Sequence, residues 1–80
     1  MTDVANLACT FSGNKMKAQL TNTASRYESY RFECVFLDET GTEHRLSGAA
    51  GLEPGESKLV AEDSVPNEIA EVKGKSLVEV

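Results

Sequence analysis

The stretch YRFECVFLDETGTEHRLSGAAGLEPGE, residues 30–56, decides the fold. Tyr30, Phe32, Cys34 and Phe36 recur at every second position, the spacing that puts side chains on one face of an extended strand. Arg31 and Glu33 are polar on the opposite face, whereas Val35 and Leu37 are apolar. A strand over Glu28 to Leu37 therefore starts half-exposed and ends covered on both sides, which suits a central position. Asp38-Glu39-Thr40-Gly41 reads as a type I hairpin turn with Gly41 left-handed in a bulge. Thr42 to Ser47 returns as the partner strand with Leu46 inward and His44 a second candidate for that face. Gly48-Ala49-Ala50-Gly51 is small and flexible, a place for the chain to switch sheets. Leu52-Glu53-Pro54-Gly55-Glu56-Ser57 is a punctuated turn into the next strand.

The same period extends outward from this centre. Upstream, Leu7, Cys9 and Phe11 fall on one face and Asn6, Ala8 and Thr10 on the other. Ser12-Gly13-Asn14 supplies a turn, and Met16, Ala18 and Leu20 then alternate with Lys15, Lys17, Gln19 and Thr21. The polar loop Asn22-Thr23-Ala24-Ser25 leads to the central strand. Downstream, Ser57 to Glu62 is a strand with Leu59 and Ala61 on one face. Ile69 to Val80 reads in three ways: one strand bulged at Gly74, two strands meeting at Lys73-Gly74-Lys75, or a short helix from Ser64 to Val72 capped by Gly74. Strand is preferred over residues 64–74, because the helix would have barely two turns and isolated helices that short are marginal. The pattern predicts an all-β chain, an Ig-like antiparallel β-sandwich of six or seven short strands forming a single domain over residues 1–80.

Composition narrows the function. The apolar share of 40% is too high for a disordered segment, and without Trp the core must draw on Leu, Val, Ala, Met and Cys. A net charge of −5 argues against nucleic acid, whose binders need a clustered basic footprint, and against anionic membrane surfaces. No apolar run approaches the roughly 18 residues of a membrane span. Met1-Thr2-Asp3-Val4 lacks the basic flank and apolar region of a secretory signal. The chain is therefore expected in the cytoplasm as encoded, with an extracytoplasmic or virion-associated place as alternatives.

Three segments carry a resemblance to the small bacterial Ig-like modules, most nearly the FxLYD type. They are Leu20-Thr21-Asn22-Thr23, the hairpin Val35-Phe36-Leu37-Asp38-Glu39-Thr40-Gly41, and Leu52-Glu53-Pro54-Gly55-Glu56, with Cys34 and Leu37 at the aromatic positions of the name motif. The resemblance implies a β-sandwich that acts as a spacer or contact surface and has no catalytic residues. Similar sandwiches also occur as accessory subunits of phage particles, made in the cytoplasm without signals.

Candidate sites are few. Cys9 and Cys34 both face inward on strands that a sandwich places in opposite sheets, which permits a cross-core disulfide. Two reduced core thiols are the preferred reading in the absence of an export signal. Asp38, Glu39 and Glu43, and likewise Glu62, Asp63 and Glu68, read as solvated acidic turns rather than calcium ligands, since no D-x-D-x-D-G run occurs. His44, the single histidine, has no nucleophile and acid in triad arrangement and reads as solvated beside Glu43 and Arg45. No enzyme activity, metal or cofactor is expected, nor a small-molecule ligand. Tyr27, Tyr30 and Arg31, with Arg26, are candidates for contact with another protein or further copies of this chain, because aromatics and Arg concentrate at interfaces; the reading preferred over it makes Tyr30 core and the others ordinary loop. Leu77 and Val78 are a second candidate, a strand able to pair at a sheet edge.

Overall fold

Strands form where the alternation runs: β1 Ala5–Ser12, β2 Lys15–Asn22, β3 Glu28–Asp38, β4 Glu43–Leu52, β5 Ser57–Ser64 and β6 Ile69–Glu79. The computed structural model describes residues 5–80, so Met1–Val4, read above for a targeting segment, lie outside the described residues. The strands make two antiparallel three-stranded sheets, β1-β2-β5 and β4-β3-β6, which face each other as a β-sandwich. Residues 64–74 hold no helix. β5 ends at Ser64, and β6 is one strand that pairs with β3 and skips Lys73 and Ala70. The bulge expected at Gly74 therefore falls on its neighbour.

The turns follow from glycine and proline. Gly13, at φ 59°, begins the two-residue β1–β2 turn between the paired Ser12 and Lys15. In the β3–β4 hairpin, Gly41 N donates to Asp38 O at 3.0 Å and Asp38 N to Thr42 O at 3.0 Å, the expected bulged turn.

Two strand readings need correction. β4 continues from Ser47 to Leu52, so Gly48–Gly51 is strand rather than a switch point. Gly48 lies opposite Phe32, and a Cβ there would come 3.1 Å from Phe32 Cζ. The missing side chain makes room for the ring and the ladder continues. The change of sheet falls instead at the Glu53–Glu56 turn, closed by Glu56 N to Glu53 O at 3.0 Å. In β5, Val60 is a bulge between Ala61, opposite Ala18, and Leu59, opposite Gln19. A one-residue slip reverses every following side chain, so Leu59 faces outward and is half exposed.

The core comprises Leu7, Met16, Ala18, Leu20, Tyr30, Phe32, Cys34, Phe36, Leu46, Leu52, Val65 and Ile69. Phe11, expected inward, sits at the rim and meets Phe36 edge to face at 6.4 Å. The preferred reading of Cys9 and Cys34 as free thiols is overturned, because they are joined as a disulfide. Cys9 on β1 and Cys34 on β3 oppose each other across the sandwich with Cα atoms 5.9 Å apart, a separation that a disulfide spans.

Asp38 also departs from expectation. It is buried rather than solvated at the hairpin tip. Its Oδ1 accepts from Thr40 N (2.9 Å), Thr40 Oγ1 (2.6 Å) and Thr42 N (3.0 Å), and Oδ2 lies 2.8 Å from His44 Nε2. His44 is accordingly an inward partner of this carboxylate rather than a solvated surface residue.

Two predictions follow from these anchors. The disulfide closes a loop over a sequence separation of 25. Reduction, or the pair Cys9→Ala and Cys34→Ala, should lower unfolding stability by about 3 kcal/mol in urea titrations with and without reductant. Hydrogen bonds from Thr40 and His44 hold the Asp38 carboxyl well below the usual carboxylate range. The folded chain thus takes up this proton less readily than the unfolded one. The stabilisation is complete above the unfolded value of about 3.9 and drains away as the pH falls below it. Melting temperature should drop steeply over that acid range, and Asp38→Asn should lie lower at neutral pH with a flatter acid limb.

Candidate contact surface

The outward side chains of the β4-β3-β6 sheet lie in register across three strands. Successive rows are Ala49–Arg31–Val78, Ser47–Glu33–Ser76 and Arg45–Val35–Gly74. Small residues on β4 and β6 beside longer ones on β3 leave a shallow concavity of about 530 Å³, lined by Arg31, Glu33, Ser47, Ala49, Ser76 and Val78. Tyr27 stands at one end over Gly51, where a Cβ would fall 1.8 Å from the tyrosine hydroxyl. Any side chain at Gly51 would therefore displace the ring.

Charges divide this face in two. At one end Arg45 reaches Glu33 Oε1 at 3.1 Å and Glu43 Oε1 at 3.4 Å, and Lys73 pairs with Glu43. The Lys73 and Arg45 cations hold the Glu43 carboxyl below its ordinary value, Lys73 contributing most. At the other end Arg31 has no ion-pair partner among the described residues, while Val78 is 59% and Tyr27 56% exposed. Arg26 is occupied: its Nε sits 2.7 Å from Glu28 Oε1. That hydrogen bond draws the Glu28 carboxyl down, and Glu28 in turn pushes the neighbouring Glu79 carboxyl up.

The loop that carries Arg26 and Tyr27 is positioned by Asn22, fully buried at the end of β2. Asn22 Nδ2 donates to Arg26 O and Leu52 O, both at 2.9 Å. Its Oδ1 accepts from Ala24 N at 2.9 Å and from the Tyr30 hydroxyl at 3.0 Å. The main chain is satisfied as well, with Asn22 N donating to Glu56 O and Gly55 N to Asn22 O, both at 2.9 Å. Burial raises the Tyr30 phenol above its ordinary value, so it stays a neutral donor to this amide.

Of the candidate contact residues, the structure brings Tyr27, Arg31 and Val78 to one outer face. It turns Tyr30 and Leu77 inward, where Tyr30 is core and Leu77 packs against the core. Arg26 is exposed but paired with Glu28. The small residues Ala49 and Gly51, which with Ser47 shape the concavity, read in the sequence as part of a flexible switch point, because Gly48–Gly51 has no alternation of polar and apolar residues to mark it as strand. The acidic turns are engaged elsewhere: Asp38 within its own hairpin, and Glu62 with Lys15 and Lys17. Among the described residues no group of three or more His, Cys, Asp or Glu is placed to hold a metal.

No protein-family model matches the chain, and no curated protein sequence matches it. Among solved structures, the chain is similar to the crystal structure of a DUF1425 family member from Shewanella sp. pv-4. The superposition has a TM-score of 0.53 at 10% identity and covers 92% of this chain and 71% of that one. At that identity the likeness is one of fold: both chains share the small antiparallel β architecture.

Removing the Asn22 amide takes a hydrogen-bond partner from four groups at once, two of the bonds fully buried. Asn22→Ala should cost about 3 kcal/mol or more, and Tyr30→Phe about 1 kcal/mol, measured by chemical denaturation.

Proposed function

We propose that this chain is a non-catalytic protein-contact module, and that the outer face of the β4-β3-β6 sheet, at its Tyr27–Arg31–Val78 end, is the surface it presents. The observation that carries the reading is Arg31, without an ion-pair partner among the described residues, between an exposed aromatic and an exposed Val78, beside a concavity floored by small residues. Interfaces favour this combination: rigid aromatic area, an arginine able to form a bidentate pair, and few competing charges. The partner is a protein segment that brings a carboxylate to Arg31 and apolar atoms to Tyr27 and Val78. The FxLYD-type bacterial Ig-like modules that the sequence resembles are spacers or contact surfaces of this kind.

The cross-core disulfide supports a place outside a reducing compartment, since such bonds persist where glutathione and thioredoxin do not reduce them. Service as an accessory subunit of a larger particle would use the same face, and would show as retention of assembled particles rather than of a free protein.

Immobilised chain should retain a defined set of proteins from an extract of its source. Arg31→Glu and Val78→Asp should each reduce that capture by about tenfold or more with melting temperature little changed, as expected for anchors of an interface rather than of the fold. Equal capture by all three proteins would refute the surface assignment.

A further inference from the structure

β6 is the outermost strand of its sheet, with β3 on one side and no described strand on the other. Val80 N donates to Ser29 O at 2.9 Å. In an antiparallel ladder that bond sets the alternation: Val80, Val78 and Ser76 turn their main-chain groups toward β3, and Glu79, Leu77 and Lys75 turn theirs toward the open side. Their side chains share the inward face, opposite Tyr30, Phe32 and Cys34 respectively. The residues offering main-chain donors and acceptors along this edge are therefore Lys75, Leu77 and Glu79. Read backwards, that series is its own complement, with an apolar residue at the centre and opposite charges at equal distance on either side.

Edges are commonly blunted by bulges and by inward-pointing lysines. The bulges here, at Lys73 and Ala70, are confined to the first part of the strand, and from Gly74 to Glu79 the ladder is regular. A protective lysine alone would need no acid two positions beyond Leu77. The electrostatics at that acid are unbalanced: Glu79 lies beside Glu28, which pushes its carboxyl up, and Arg26 is the cation offsetting the pair. Lys75 Nζ donates to Leu7 O at 2.7 Å, which leaves two of its three donors for another acceptor.

We propose that two copies of the chain pair their β6 strands antiparallel about a two-fold axis at Leu77. The product is one continuous six-stranded sheet in which Lys75 of each copy faces Glu79 of the other. In this register the outward main-chain groups of Lys75, Leu77 and Glu79 meet their counterparts, so ladder hydrogen bonds and ion pairs form together. The second copy's Lys75 brings a cation to the crowded Glu28–Glu79 pair. A single-strand edge contact lies at the low end of interface sizes, below about 1,200 Å² in total, so the dimer dissociates on dilution and weakens with salt. The inference draws on the protein-contact reading only in using the same sheet. Self-association of purified chain is measured without any other partner, so either reading can fail while the other stands.

The test is sedimentation analysis of the full chain over a range of concentration and salt, for wild type, Lys75→Glu, Glu79→Lys and the double exchange. The wild type should show a salt-sensitive monomer–dimer equilibrium. Each single reversal places like charges opposite each other on both sides of the axis and should weaken the dimer by about tenfold or more. The double exchange should restore it. A second measurement is independent of whether the variants fold: hydrogen exchange at the Leu77 amide of the wild type should slow as concentration rises. A wild type that stays monomeric at every concentration, a dimer indifferent to the single reversals, a folded double exchange that does not dimerise, or Leu77 exchange independent of concentration would each overturn the proposal.

Discussion

The constraint on which the rest of the molecule depends is the satisfaction of one buried amide. Asn22 sits where β2 leaves its sheet and the chain crosses toward β3, in a position without solvent. A polar group there is tolerable only with every donor and acceptor matched. Meeting that demand ties four segments together: the loop through Ala24 N and Arg26 O, the end of β4 through Leu52 O, the β4–β5 turn through Gly55 and Glu56, and β3 through the Tyr30 hydroxyl. The loop presenting Tyr27 is consequently tied to the buried Asn22 through Ala24 N and Arg26 O, although it has no regular structure of its own.

At the opposite end of the sandwich a second buried polar residue does a similar job locally. Asp38 closes its hairpin by accepting from Thr40, Thr42 and His44. Nearby, the Val65–Glu68 turn is held by main-chain bonds from Val65 to Asn14, from Ile69 to Gly13 and from Glu39 to Glu68. Between these ends the sheets are joined covalently by Cys9–Cys34 and, along the β1–β6 side, by a hydrogen bond from Lys75 Nζ to the Leu7 carbonyl. A chain of 80 residues buries a limited share of its surface, so such ties contribute a large part of its stability.

Much of the architecture was legible in residue order. Alternation through Met16–Leu20 and Tyr30–Phe36 located β2 and β3 and their inward faces, and Gly41 and Pro54-Gly55 marked the turns where they occur. Less legible was anything that depends on a residue's opposite number. Leu59 looks inward when β5 is read alone, and the Val60 bulge, visible only against β2, turns it out. Asp38 and Asn22 look like turn residues for solvent, and their burial follows from what packs over them. For the contact surface, Arg31 and Tyr27 stood out as interface types, but the small residues of β4 acquire meaning only as neighbours of β3 in the rows of the sheet.

The amino-acid sequence by itself determined the extended, two-faced character of each segment and the places where the chain turns, because side-chain period and glycine or proline conformation are local properties. Tertiary structure alone decided the pairing of Cys9 with Cys34, the inward fate of Leu77, and the meeting of Tyr27, Arg31 and Val78 on one face. Those outcomes depend on register and on which sheet covers which, quantities set by contacts between residues far apart in the chain.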